Sequence, residues 1–207
     1  MPSHSSPLVV IVSGPSGSGK STLVEKILEM PGTLFSISCT TRPPRSAETP
    51  GKWYDFVTES EFQRMVQEDA FLEYARVFGK HWYGTPRKWL ERARQSGRDL
   101  VLEIDVQGAA QVMEKLPGSL AIFIVPPSRQ ELEHRIRARG QDSEEEIARR
   151  LDRARQEMHS FAKYDYVVVN DDLERAGREV QAILTAARCG RDRMSAPVRS
   201  ILDSFGG

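Results

Sequence analysis

Residues 8–22 read Leu8-Val9-Val10-Ile11-Val12-Ser13-Gly14-Pro15-Ser16-Gly17-Ser18-Gly19-Lys20-Ser21-Thr22. The apolar, β-branched run up to Ser13 has the length and composition of a strand buried on both faces of a parallel sheet. The stretch from Gly14 to Ser21 fits the spacing of a phosphate-cradling loop: Gly, four residues, then Gly-Lys-Ser/Thr. The chemistry explains the residue types. Glycines without a Cβ let consecutive backbone N–H groups turn inward onto phosphate oxygens. Leu23, Ile27 and Met30 place a helix directly after the loop, with its positive N-terminal end facing the same anion. Lys20 adds a full charge near the β- and γ-phosphates, and the Ser21 hydroxyl is suited to Mg²⁺. The loop is expected to bind a nucleoside triphosphate, and it is silent on the acceptor.

The rest of the composition narrows the class. With 207 residues the chain has the length of one domain with room for an appendage. Hydrophobic residues make up 39% and charged residues 28%, and 29 basic side chains cancel 29 acidic ones. That balance excludes intrinsic disorder, which needs low hydrophobicity and high net charge. Two cysteines, Cys39 and Cys189, are too few for a disulfide framework and point to a reducing compartment. The longest apolar runs, Leu8 to Val12 and Leu120 to Val125, are far short of the roughly 20 residues a membrane span requires. Residues 1–7 carry no basic stretch followed by an apolar one, so no secretory signal is visible; they read as a loose leader of a cytoplasmic protein. Neutral charge argues against broad nucleic-acid binding but leaves room for a local anion site. Arginine outnumbers lysine 22 to 7, and only arginines inside a motif count as evidence.

Several arginines meet that condition. Leu34 to Ser38 reads as a short strand, and then comes Ser38-Cys39-Thr40-Thr41-Arg42-Pro43-Pro44-Arg45, with Glu48, Gly51, Tyr54 and Phe56 beyond it. Two prolines forbid a helix and hold the chain extended. Two guanidinium groups on a stiff backbone suit one phosphate dianion, although a solvated basic loop has the same composition. Thr85-Pro86 reads as the N-cap and first residue of a helix to about Gln95. Leu100 to Asp105 is a buried strand whose period of two puts Glu103 and Asp105 on one side at its carboxyl end, where open α/β sheets bind ligands. Leu120 to Val125 is another, ended by Pro126-Pro127. Ser128-Arg129-Gln130-Glu131 is a capping box for a helix carrying Arg135 and Arg139. Gly140-Gln141-Asp142 breaks that helix, and Ser143 caps the next, which carries Arg149 and Arg150. Such a pair can close over a phosphate chain or be a charged surface hairpin. Tyr166 to Val169 reads as a fourth core strand, followed by Asn170-Asp171-Asp172 and a last amphipathic helix from Leu173 to Ala187. Residues 188–207 show no periodicity and read as a tail of unknown role. Alternating strands and helices give an α/β fold: a P-loop NTPase-type parallel sheet flanked by helices.

The run Thr40-Thr41-Arg42-x-x-Arg45-x-x-Glu48-x-x-Gly51-x-x-Tyr54-x-Phe56, downstream of an intact phosphate loop, resembles the guanylate kinases, and the likeness extends from about Leu8 to Ala187. The resemblance implies a transferase that moves the γ-phosphoryl of ATP to GMP, and to dGMP beside it, with Mg²⁺, in purine nucleotide metabolism. It implies a GMP-binding part at about residues 37–86 and a lid at about 137–152. Guanine presents N1–H and N2–H₂ as adjacent donors, and one carboxylate accepts both; adenine offers a lone pair at N1 instead. By resemblance that carboxylate is Glu73, which taken alone reads as a surface glutamate on a strand. Ser38 and Thr85 would address the O6 side of the base, and Arg42, Arg45, Tyr54 and Tyr83 would clamp the GMP phosphate. By the same resemblance Glu103 and Asp105 would belong to the GMP side, Asp105 also joining Ser21 at the metal. Lys20, Arg135, Arg139 and Arg150 would be the catalytic cations. Asn170 would be an adenine-side contact, while Asp171 reads equally as a helix N-cap. Two departures stand out. Gly79 to Thr85 is one residue longer than the family's usual Gly-Asn-Tyr-Tyr-Gly-Thr, so Tyr83 is aligned from the right, and Glu103 stands where the family often has Asp. A scaffold domain that binds phosphopeptides at the old GMP site typically has a degraded phosphate loop, and here the loop is intact. A phosphate-loop kinase for another acceptor, such as a ribose bisphosphate, is disfavoured by Glu73 with Ser38.

Overall fold

The computed structural model describes residues 6–44, 48–77, 79–138 and 143–205. Strand β1 (Val9–Ser13) is buried along its whole length. After it the chain runs through α1 (Lys20–Leu28), β2 (Thr33–Phe35), β3 (Ser38–Thr40), β4 (Tyr54–Phe56) and α2 (Glu59–Gln67). Next come β5 (Phe71–Val77), β6 (His81–Pro86), α3 (Lys88–Ser96), β7 (Asp99–Glu103), α4 (Val106–Lys115) and β8 (Leu120–Val125). The last elements are α5 (Arg129–Ala138), α6 (Glu144–Met158), a 3₁₀ turn at His159–Lys163, β9 (Tyr166–Val169), α7 (Leu173–Arg188) and α8 (Arg191–Asp203).

The main sheet has five strands in the order β2-β7-β1-β8-β9, with parallel pairing throughout. Val12 stands beside Glu103 on one side and Ile122 on the other. This register brings the carboxyl ends of β1, β7 and β8 to one edge, where the phosphate loop begins. Alternation along β1 divides the core. Val10 and Val12 pack with Leu23, Ile27, Val180 and Leu184 beneath α1 and α7, while Val9 and Ile11 pack with Trp89, Ala93 and Val112 beneath α3 and α4. A second sheet, ordered β4-β3-β6-β5, is mostly antiparallel and forms the acceptor side. Helices α5 and α6 meet through their own small cluster of Leu132, Ile136, Ile147, Leu151 and Ala154.

The fold class agrees with the sequence expectation, and several local expectations are corrected. The run from Leu34 to Ser38 is not one strand: Leu34 lies in β2 of the main sheet and Ser38 in β3 of the second. Thr85 does not cap a helix. It sits in β6 with Pro86, because the β5–β6 pairing continues through both residues, and α3 starts only at Lys88. Strand β9 is an edge rather than a core strand, with Tyr166, Val167 and Val169 exposed and only Val168 buried. The cap of α7 is Asp172, whose side chain accepts from Arg175 N–H, not Asp171. Helix α2 has a full capping box between Thr58 and Glu61, a local signal the sequence reading passed over. The break expected at Gly140-Gln141-Asp142 lies outside the described residues.

Residues 191–203 of the expected tail form a helix with no buried residue. Met194, Val198, Ile201 and Leu202 recur at helical spacing but face solvent, so the periodicity exists without a core to mark it. No described helix is long and apolar enough to cross a membrane. One buried acid ties the chain ends to the sheet. Asp99 accepts from Leu8 N–H at 2.8 Å and from Arg188 Nε at 2.8 Å, with Arg193 at 3.9 Å. Replacing it leaves the buried Leu8 N–H without its acceptor and removes the carboxylate that Arg188 and Arg193 face, Arg188 keeping the Pro31 carbonyl. Asp99→Ala is therefore expected to lower unfolding stability by about 3 kcal/mol in urea titration while leaving nucleotide binding intact.

Candidate active site

The loop after β1 has the backbone its sequence demands. Gly14 has φ +139°, and a Cβ there would lie 2.2 Å from the Ile124 carbonyl oxygen of β8. The side chain of Lys20 curls back over the loop, its Nζ donating to the carbonyls of Gly14 and Pro15 at 2.9 and 3.0 Å. The ammonium is thereby held at the loop's mouth by weak acceptors that an anion can replace. Ser16, Gly17, Gly19, Ser21 and Thr22 face the same cleft of about 460 Å³. Ser18 is fully buried, and Pro15 belongs to the loop's wall. Asn170 is also buried: its amide donates to the Ser18 carbonyl at 2.8 Å. In this structure it props the loop from beneath instead of lining the cleft.

The acid beside Ser21 is Glu103, whose Oε1 accepts from the Ser21 hydroxyl at 2.7 Å. Asp105, expected to join Ser21 at the metal, lines the same cleft but is not hydrogen-bonded to Ser21. Asp105 lies beyond the end of β7 and caps α4, Oδ1 accepting from Gln107 N–H at 3.1 Å and Gly108 N–H at 2.9 Å. Its other oxygen faces Arg153 of α6 at 3.5 Å. Period-two reasoning places the two acids together, but the chain leaves the strand between them.

Across the cleft the second sheet buries a polar chain. Glu73 on β5 is only 3% exposed. Its Oε1 accepts from the Thr85 hydroxyl on β6 at 2.6 Å, and Thr85 Oγ1 stands 3.4 Å from Ser38 Oγ on β3. Three residues far apart in sequence are thus brought together by strand pairing. Burial pushes the Glu73 carboxyl up to about 7, with nearby Asp105 in the same direction and the Thr85 hydrogen bonds opposing.

Nearer the solvent, Arg42 is surrounded by rings and acceptors. Its Nε donates to Tyr83 Oη at 3.1 Å, its guanidinium lies over Tyr54 and Phe56, and Glu48 takes its two terminal nitrogens at 2.8 and 2.9 Å. Burial works against the charge, but the hydrogen bonds that Arg42 donates to Glu48 and Tyr83 outweigh it and raise its pKa. Tyr83 meets Tyr54 edge-on at 5.7 Å, so the longer Gly79–Thr85 segment still delivers this tyrosine to the cluster. Burial also pushes the Tyr54 phenol well above its ordinary range, which keeps it a neutral donor. Arg45 lies outside the described residues.

Of the lid arginines, Arg150 on α6 reaches the phosphate loop, donating to the Ser16 hydroxyl at 2.8 Å. Arg135 on α5 instead spans Glu131 at 2.7 Å and the Asn170 carbonyl at 2.9 Å, and Arg139 lies outside the described residues. Sequence reasoning missed Arg153, although it lies three residues after Arg150 and so shares its helix face. It also missed Glu157, which takes Arg153 Nε at 2.7 Å, and Trp53, which packs on Phe35 at the cleft wall.

A phosphate loop closing the central strand of a parallel sheet, and sharing one cleft with a second polar pocket, defines the class: a phosphate-loop nucleotide-binding protein with an acceptor site. Comparison with known proteins resolves it further. The family model described as guanylate kinase matches residues 6–187. A guanylate kinase of Caldanaerobacter subterraneus subsp. tengcongensis is 49% identical over 187 residues, 90% of each chain. One from Escherichia coli strain K12 is 47% identical over 186 residues, 88% of this chain and 89% of its own. The crystal structure of guanylate kinase from Anaplasma phagocytophilum superposes with a TM-score of 0.78 at 36% identity, over 92% of this chain and 90% of that one. The chain belongs to the guanylate kinase family.

The buried carboxyl sets a pH signature for the ligand-free protein. A folded-state pKa raised from 4.5 to about 7 means the protonated form is preferred on folding, and this contribution is lost as pH rises through that window. In urea titrations, Glu73→Gln is expected to gain about 3 kcal/mol relative to the parent between pH 4.5 and 7.

Proposed function

We propose that this chain transfers the γ-phosphoryl group of ATP to GMP, with dGMP as a second acceptor, to give ADP and GDP. The observation that carries this reading is Glu73: a buried carboxylate facing the same cleft as an intact phosphate loop. Guanine supplies two adjacent N–H donors to such a group. An adenine ring leaves the carboxylate against a lone pair, and burying unpaired polar groups rejects the wrong base strongly. In this reading Ser38 and Thr85 hold the carboxylate and serve the O6 side, while Arg42, Arg45, Tyr54 and Tyr83 hold the acceptor phosphate. Glu48 then yields part of the Arg42 fork to that phosphate.

On the donor side, the backbone from Gly14 to Gly19 and Lys20 hold the triphosphate. Ser21 and Glu103 form the pair suited to Mg²⁺, since a hydroxyl and a carboxylate 2.7 Å apart are hard oxygen ligands at the loop's mouth. When bound, the ion neutralises charge on the phosphates and orients them. The acceptor phosphate is already largely a dianion at pH 7, its second pKa being about 6, so no general base is needed. The chain's own task is alignment and charge neutralisation. Lys20 and Arg150, which both meet the loop, track the transferring group, with Arg135 and Arg139 joining them from the lid. Closure of α5 and α6 over the cleft would exclude water that otherwise competes for the phosphoryl group.

A coupled assay of ADP release with Mg²⁺ and ATP tests this directly. GMP should support turnover, and AMP, CMP and UMP should not. Glu73→Ala should cut kcat/KM for GMP by about a hundredfold or more while the KM for ATP holds. Absence of GMP-dependent turnover, or equal loss on both substrates, contradicts the proposal.

A further inference from the structure

Helix α4 belongs to the main sheet, yet one of its faces runs along β5, the edge strand of the acceptor sheet. Lys115 Nζ donates to the Leu72 carbonyl at 2.7 Å. Gln111 works as a surrogate strand, its Nε2 donating to the Tyr74 carbonyl at 2.8 Å and its Oε1 accepting from Tyr74 N–H at 3.4 Å. Between Leu72 and Tyr74 stands Glu73. Facing it from the helix, three residues before Gln111 and hence on the same side, is Gly108.

The backbone does not explain this glycine. Gly108 is the third residue of α4, with no left-handed φ and its N–H taken by the Asp105 cap, so nothing in the backbone calls for a glycine. Space explains it. A Cβ at position 108 would lie 2.4 Å from Glu73 Oε2 and 3.0 Å from Glu73 Cδ. The next nearest atom, Ile104 Cβ, is at 3.5 Å, an ordinary contact. The single obstruction is therefore the carboxylate itself. A methyl group there displaces the end of the Glu73 side chain, which Thr85 holds at 2.6 Å, and leaves the helix in place.

We propose that Gly108 is a positioning residue for base selection: its missing side chain is the space that seats the Glu73 carboxylate. This inference rests on the base-reading role given to Glu73 above. Gln111 and Lys115 fix the distance between helix and strand, and Gly108 sets how far into the cleft the carboxylate stands. Filling that space spoils recognition of guanine through an atom that never touches the ligand.

A double-mutant cycle separates this role from general damage. Gly108→Ala should lower kcat/KM for GMP by about ten- to a hundredfold, with the KM for ATP unchanged. In a Glu73→Ala background the same substitution should add nothing, because the obstructing atoms are gone. Preference for GMP over IMP, which lacks the exocyclic amine, should shrink in Gly108→Ala. An unaffected Gly108→Ala variant, equal losses in both backgrounds, or a parallel rise in the KM for ATP overturns the inference. Should Gly108→Ala fail to fold, a folded double variant still locates the clash at Glu73, and an unfolded one refutes it. If Glu73→Ala alone leaves GMP use intact, the base-reading role falls and this inference with it.

Discussion

A carboxylate taken out of water needs either a cation or enough donors to replace its hydration. Glu73 has neither in full. Among the described residues it has no ion-pair partner, and the Thr85 hydroxyl satisfies one of its oxygens at 2.6 Å. Burial accordingly pushes its carboxyl up to about 7. The acceptor side keeps this group in place: strand pairing brings Thr85 to it and Ser38 to Thr85, and α4 walls it in. In the proposed function the missing donors come from the substrate, so the site is complete only with a guanine bound.

The opposite wall works by the reverse logic. The phosphate loop presents donors, with the Lys20 ammonium turned onto two of the loop's own carbonyls. The parallel register of β7, β1 and β8 fixes this wall, and the lid helices reach it through Arg150 and Ser16. Three residues further along α6, Arg153 touches Asp105, the cap of the helix that walls in Glu73. One helix therefore contacts both halves of the cleft.

The donor side was legible because its chemistry is local. A loop that wraps phosphate must place glycines, lysine and serine within a few residues, and the preceding strand and succeeding helix are written in the same short stretch. The acceptor side was legible only through resemblance, since Ser38, Glu73 and Thr85 are joined by strand pairing that no local rule sees. Thr85-Pro86 carries a genuine local cap signal, but the hydroxyl answers to a carboxylate twelve positions away. Asp105 has a duty that is local: beside the metal role expected of it, it accepts from the N–H groups of the next turn. The reason for Gly108 is not legible locally, because what fills the place of its side chain lies on another element. The α8 stripe has helical spacing in the sequence, but its apolar residues face outward and join no core.

The account is tested most directly by isothermal titration of GMP into the protein at pH 7 in buffers of differing ionisation enthalpy. These runs count the protons released on binding. Guanine donors should favour the ionised carboxyl, so the parent protein should release a substantial fraction of a proton more than Glu73→Gln, in which only the phosphate can titrate. Equal proton release by the two proteins would contradict the account of a carboxyl that stands partly protonated in the free protein and is ionised by the base.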